Sequence, residues 1–419
     1  MAQTTRLKRL FGFNHENIPV WGTGIGHGCI HWYPSTFYLL LPLIKDELHL
    51  SYTEMGFIIT IRFIVGTLAN LPSGMLTDLV GKYKLLMAIS LSMVGIPYLF
   101  VGLAHNYHIL LFCMAFIGFG GHLWHPTAIS TLRDAYPSKR GWAIGWHASA
   151  ANIGDALGPL MCGILLSWIT WRQILVSSSI AGVAMGLFIW SLLGTFERTS
   201  EIGLQKTSSG NAHGEKKKQS AREYLKNFGR LMVNPDIFLL SLVNGIRTLT
   251  QNGLSTFLPS FFMNLLSLSP LLTGVYMTIL QIAGIIAAPI SGRLSDKHGR
   301  KKVLTAAIFA TSCALFLMAF LNITWLFVVF LGILGFFLYS LRPVLQAWTM
   351  EVAPKELGGS AIGFQFTFQS AFSALSPVLG GWIADGWGLM YTFYFLAAAL
   401  LFSNLLVVFM KEPEQEDIV

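Results

Sequence analysis

Gly74-Met75-Leu76-Thr77-Asp78-Leu79-Val80-Gly81-Lys82 returns, 218 residues later, as Gly292-Arg293-Leu294-Ser295-Asp296-Lys297-His298-Gly299-Arg300. The same offset carries Ser51 onto Ser269 and Gly56 onto Gly274. It also carries Ala143-Ile144-Gly145 onto Ala361-Ile362-Gly363, and Leu157, Pro159 and Gly163 onto Leu375, Pro377 and Gly381. One offset that holds over so long a stretch marks a duplicated fold. In an apolar chain, two parallel copies imply a membrane carrier with its site where the copies meet.

The composition agrees. Charged residues are 11% of the 419 and hydrophobic residues 53%, against roughly 25% charged in an average soluble domain. So few charges leave lipid as the solvent for most of the surface. The N-terminal stretch before the first apolar window is polar and basic, and no cleavable signal peptide is evident in it. Cys29, Cys113, Cys162 and Cys313 each fall inside an apolar window without metal-ligand spacing. They read as reduced packing residues.

Apolar windows of about 20 residues fall near 20–43, 52–77, 84–103, 108–131, 141–167, 173–194, 236–262, 270–292, 302–320, 323–349, 358–384 and 389–410. The fold class predicted is therefore an all-α membrane protein of twelve transmembrane helices in two six-helix bundles. The bundles would occupy 1–194 and 236–419, joined by a linker loop over 195–235. Of the 28 Lys and Arg, only Arg62, Arg247 and Arg342 lie inside spans and only Lys45 and Arg172 in odd-numbered loops. The rest lie in the termini and even-numbered loops, which predicts cytoplasmic termini in the cell or inner membrane. The basic balance is thus a topology signal and implies no nucleic acid. In the linker, Lys216-Lys217-Lys218 precede a segment with Tyr224, Phe228 and Leu231 at helical spacing. It reads as a surface helix joining the bundles, with lipid binding as the alternative.

Twelve spans with this duplicated loop resemble the major facilitator superfamily, and the resemblance covers nearly the whole chain. In that family the loops carrying Gly74, Asp78, Gly81 and Lys82, and Gly292, Asp296, Gly299 and Arg300, form a cytoplasmic gate. Leu79 stands where a basic residue is common, so the resemblance implies a thinner charge network in the first copy. Gly145, Gly154, Gly158, Pro159 and Gly163 are similar to the family's antiporter motif, with Cys162 replacing one glycine. Small residues there let two helices approach closely and Pro159 bends its own helix. His125-Pro126-Thr127-Ala128, Arg133 and Gly141-Trp142-Ala143-Ile144-Gly145 resemble the fosmidomycin-resistance branch of exporters. The resemblance also implies a monomer.

Polar residues inside a membrane are costly and point to function. Span 1 has His27 and His31 one turn apart, and span 4 has His122 and His125. Span 7 has Asn244, Arg247 and Gln251 on one face, and span 10 has Arg342 and Gln346. In the family these four spans line the central cavity. Span 2 adds Arg62, and span 5 adds His147, Asn152 and Asp155. Three arginines against one clear aspartate leave positive charge to be matched, and guanidinium offers a bidentate fork to carboxylate or phosphonate. The histidines and Asp155 suit proton transfer or substrate hydrogen bonding. Four imidazoles also suit a transition metal, but no carboxylate clusters with them in the sequence and the arginines would repel a cation. No metal and no cofactor is therefore expected. Gly22-Thr23-Gly24-Ile25-Gly26-His27-Gly28 follows no strand and is no nucleotide loop.

The expectation is a secondary active transporter, not an enzyme, that moves a small organic anion by alternating access, as proton-coupled export. Arg247, Arg342, His27, His31, His122, His125, Asn244, Gln251, Gln346 and Arg62 would bind the anion. Asp155 and His147 would carry protons. The alternatives are proton-coupled uptake of the same cargo and broad export of apolar drugs.

Overall fold

The apolar windows become helices. The structure, a computed structural model, describes residues 15–204, 229, 233–318, 324–354 and 357–410. Among them are twelve α-helices. In chain order these are α1 Ile18–Glu47, α2 Tyr52–Val80, α3 Tyr83–Leu103, α4 Tyr107–Ala135, α5 Arg140–Leu165 and α6 Trp171–Leu204. They continue as α7 Pro235–Ser260, α8 Pro270–His298, α9 Arg300–Leu317, α10 Thr324–Val352, α11 Gly358–Trp387 and α12 Leu389–Phe409. Seven of them, α2, α3, α4, α6, α8, α10 and α12, are long and apolar enough to cross a membrane. The other five include α1, α5 and α7, the helices that carry His27, His31, His147, Asp155 and Arg247. The proposed surface helix near Tyr224 and Phe228 lies outside the described residues.

The helices gather into two compact units. The first holds the described residues within Met1–Phe37 and Val65–Gly214, the second those within Tyr38–Ile64 and Glu215–Val419. The duplication is visible in how each unit packs. In the first, α3 lies against α4 and α6; in the second, α9 lies against α10 and α12. α1 packs on α5 through Gly28 and Gly154, as α7 packs on α11. Gly158 sits against Trp32 and Ser35 of α1, while its repeat counterpart Ser376 donates from Oγ to the Leu249 carbonyl of α7 at 2.5 Å. Both copies of the repeated loop place a glycine at positive φ, Gly81 at +61° and Gly299 at +95°. A side chain carries a steric cost in that region, so both positions favour glycine.

Residues 38–64 show why they belong to the second unit. The start of α2 is a capping box: Glu54 N–H donates to Ser51 Oγ at 3.1 Å and Ser51 N–H to Glu54 Oε2 at 2.8 Å. The next two donors go to α11, with Tyr52 N–H and Thr53 N–H each 2.8 Å from a different oxygen of Asp385. Further along α2, Thr60 Oγ1 donates to the Ala374 carbonyl at 2.7 Å. A Cβ at Gly56 would overlap the Pro377 carbonyl oxygen, so the two helices touch backbone to backbone.

Candidate functional site

The first unit gathers four histidines and an aspartate from α1, α4 and α5. His27 and His31 lie on one face of α1, with ring centroids 4.7 Å apart. His125 of α4 meets both edge-on, at 5.1 Å from His27 and 6.4 Å from His31. His147 of α5 stacks on His27 at 3.8 Å and 11°. His27 Nδ1 lies 2.8 Å from the backbone oxygen of His147. His31 Nδ1 lies 3.0 Å from Asp155 Oδ2, and Ser35 Oγ donates to Asp155 Oδ1 at 2.8 Å. This corrects the expectation that no carboxylate accompanies the histidines. Asp155 reaches them across the α1–α5 contact, which Gly28 and Gly154 keep close. His122 stands at the margin, 6.5 Å from His125, with its Nδ1 on the Gly118 carbonyl at 2.8 Å.

The second unit holds the polar stripe of α7. Arg247 is only 2% exposed. Its guanidinium donates to Asn244 Oδ1 at 3.2 Å, to Gln251 Oε1 at 2.7 Å and to Thr248 Oγ1 at 2.7 Å. All three partners are neutral. Asn244 reaches on to Gln369 of α11 at 3.5 Å. Arg342 of α10 is exposed and close enough for like charges to repel. Gln346 is half-buried one turn further along α10. Arg62, half-buried on α2, lies over the Phe63 ring at 5.3 Å.

The two repeated loops differ in charge. In the second copy Arg300 Nη1 pairs with Asp296 at 2.5 Å and Arg300 Nη2 with Glu351 at 2.7 Å, and Nη1 also donates to Ser295 Oγ at 2.6 Å. These pairs lie at the ends of α8, α9 and α10. In the first copy the place of Glu351 is taken by Arg133, which pairs with Asp134 at 2.8 Å. Asp78, Gly81 and Lys82 are exposed there, while Gly74 and Gly292 sit half-buried in the turns preceding the two aspartates. The first loop thus lacks the network of the second among the described residues.

An apolar cavity of ≈ 520 Å³ lies in the first unit between α1, α5 and α6. Trp21, Trp32, Trp142 and Trp146 line it, with Met161 and Met185. Sequence reading missed this cavity, because Trp142 and Trp146 face it from one side of α5 while Trp21 and Trp32 come from α1. It also missed Ser35, Glu351 and Asp385. Ser35 was legible as the next turn on the His27–His31 face, and Glu351 as the repeat counterpart of Arg133. No local signal marks Asp385.

The sequence model of the Major Facilitator Superfamily matches this chain twice, over residues 23–284 and 237–418. The chain belongs to the major facilitator superfamily. It is therefore an integral, multi-pass membrane transporter and not an enzyme. Curated relatives similar to it are called multidrug resistance protein MdtG. The protein of that name from Citrobacter koseri is 24% identical over 372 residues, covering 87% of this chain and 88% of its own. That of Proteus mirabilis is 25% identical over 370 residues, with the same coverage. Among solved structures, a bacterial homologue of the human lysosomal transporter Spinster, inward-facing and occupied, superposes with a TM-score of 0.76. Identity is 15%, over 93% of this chain and 95% of that one. The nucleoside transporter NupG gives 0.76 at 12% identity, over 94% and 99%. Both likenesses concern the fold.

Proposed function

We propose that this superfamily member is a proton-coupled exporter of a small organic anion. All twelve helices would span the membrane as two six-helix bundles with both termini cytoplasmic, acting as a monomer. The observation that carries the reading is Arg247, a guanidinium buried in α7 whose hydrogen bonds, among the described residues, go to neutral groups, with Arg342 nearby. An uncompensated buried charge is costly, and a carboxylate or phosphonate cargo offsets it while it is bound. Asn244, Gln251, Gln346 and Arg62 would complete the anion's contacts, and the loops around Asp78 and Asp296 would gate access. The Asp155–His31 pair supplies a place for the exchanged proton, with His147 beside it. Proteoliposomes with an imposed proton gradient test this. Gradient-driven movement of a carboxylate or phosphonate that is lost in Arg247→Gln is the expected result. Cargo moving with the proton flux would turn export into uptake.

A second reading is export of lipophilic compounds. It is favoured by the tryptophan-lined cavity and by the name that the bacterial relatives carry. Trp142→Ala and Trp146→Ala separate the two. They would impair drug efflux in the second reading and leave anion movement intact in the first.

A further inference from the structure

Three imidazoles of the first unit are arranged as ligands. One ring nitrogen from each of His27, His31 and His125 lies within 4.8 Å of those of the other two. Hydrogen bonding orients two of the rings. A backbone carbonyl can only accept, so His27 Nδ1, 2.8 Å from the His147 oxygen, carries the hydrogen. His31 Nδ1 faces a carboxylate oxygen of Asp155 at 3.0 Å and is placed to donate its hydrogen there. In the neutral rings both lone pairs are then on Nε2. His27 is 6% exposed and its Nε2 has no hydrogen-bond partner. A buried ring nitrogen with a free lone pair and no donor facing it is available to a cation.

The surroundings have the form that metal-binding histidines adopt, in which the second ring nitrogen donates to a carboxylate or a backbone carbonyl. Here one of each is present, and Ser35 fixes Asp155 in turn at 2.8 Å. The objection that no carboxylate joins the histidines is removed by Asp155, whose Oδ2 lies 3.0 Å from His31 Nδ1. We propose that His27, His31 and His125 form a binding site for a divalent transition-metal ion of the zinc type, oriented by Asp155 and the His147 carbonyl. Imidazole suits Zn²⁺, Co²⁺, Ni²⁺ and Cu²⁺. Zn–N bonds of about 2.0–2.1 Å would draw the nitrogens to about 3.3–3.4 Å apart. Small side-chain rotations suffice, because His31 is half-buried and His125 exposed. Three neutral ligands leave the ion its charge and an open fourth position for water or an anionic oxygen donor.

The test uses the full chain, purified through a tag without histidine, stripped with chelator and titrated with Co²⁺. The expected result is one Co²⁺ per chain with the intense visible absorption of four-coordinate cobalt, displaced by one equivalent of Zn²⁺. His31→Gln and His125→Gln would each abolish that band. Asp155→Asn would weaken binding about 10- to 100-fold and keep the band. His108→Gln, in the first turn of α4 and outside the cluster, would change nothing. A band that survives in both ligand variants, or Co²⁺ bound with only the weak spectrum of the hydrated ion, overturns the site. Should the variants fail to fold, the wild-type protein decides. Zn²⁺ must protect His31 and His125 from diethylpyrocarbonate, and equal modification with and without Zn²⁺ contradicts the proposal. No cargo enters either measurement, so the outcome is independent of the anion reading.

Discussion

His31 Nδ1 and Asp155 Oδ2, 124 residues apart in the chain, meet at 3.0 Å. A helix of one repeat half thereby supplies a cation-capable ring and another the carboxylate that faces it. If this pair carries the exchanged proton, Asp155→Asn leaves the contact polar but removes the titrating carboxylate. Gradient-driven transport in proteoliposomes is then expected to fall to the rate seen without a gradient, while cargo-for-cargo exchange persists. A normal gradient-driven rate would remove Asp155 from the coupling step.

Arg247 is expected to hold the cargo's charge. A hydrogen bond to a charged group is worth about 1.5–3 kcal/mol, so Arg247→Gln is expected to weaken anion binding by about 10- to 100-fold in calorimetry. Arg247→Lys keeps the charge but not the fork and is expected to fall between wild type and Gln. Equal affinity in all three would exclude this residue from the site.

Glycines of the α5 motif have separate jobs. A Cβ at Gly154 would overlap the Gly28 carbonyl oxygen, whereas at Gly145 nothing lies within 4 Å. Gly154→Val is expected to destabilise the protein by about 1–3 kcal/mol, the range for overpacked sites, and to disturb the His31–Asp155 contact. Gly145→Ala is expected to be neutral or slightly stabilising in a helix. Thermal unfolding in detergent reads both, and equal effects would contradict the packing account.

Asp385 caps a helix that is not its own. Removing it in Asp385→Ala strands the Tyr52 and Thr53 N–H groups, which corresponds to the loss of a helix cap, about 1 kcal/mol. Asp385→Asn keeps an acceptor oxygen and is expected to retain most of the stability. The check is the difference in unfolding temperature between the two variants. No difference would mean that water satisfies those donors equally well.

Much of the helical plan was legible because each helix is written locally. The windows at 52–77 and 84–103 become Tyr52–Val80 and Tyr83–Leu103. The repeat offset also located Gly81 and Gly299, whose positive φ favours glycine. Where the reading stopped, the cause was distance along the chain. Nothing near His31 announces Asp155, and nothing near Tyr52 announces Asp385. The end of α7 also escaped, where the helix runs into a π turn over Phe261–Leu265 before Pro270 starts α8. The assignment of residues 38–64 to the second unit depends on backbone contacts such as Gly56 with Pro377, which no local pattern encodes.

The most direct test of the central claim is electrical. Purified protein in liposomes on a solid-supported membrane would be exposed to short carboxylates, phosphonates and lipophilic cations under an imposed proton gradient. The account expects a transport current for at least one of the anions, absent in Arg247→Gln. Currents elicited only by lipophilic cations, and unchanged in Arg247→Gln, would contradict it.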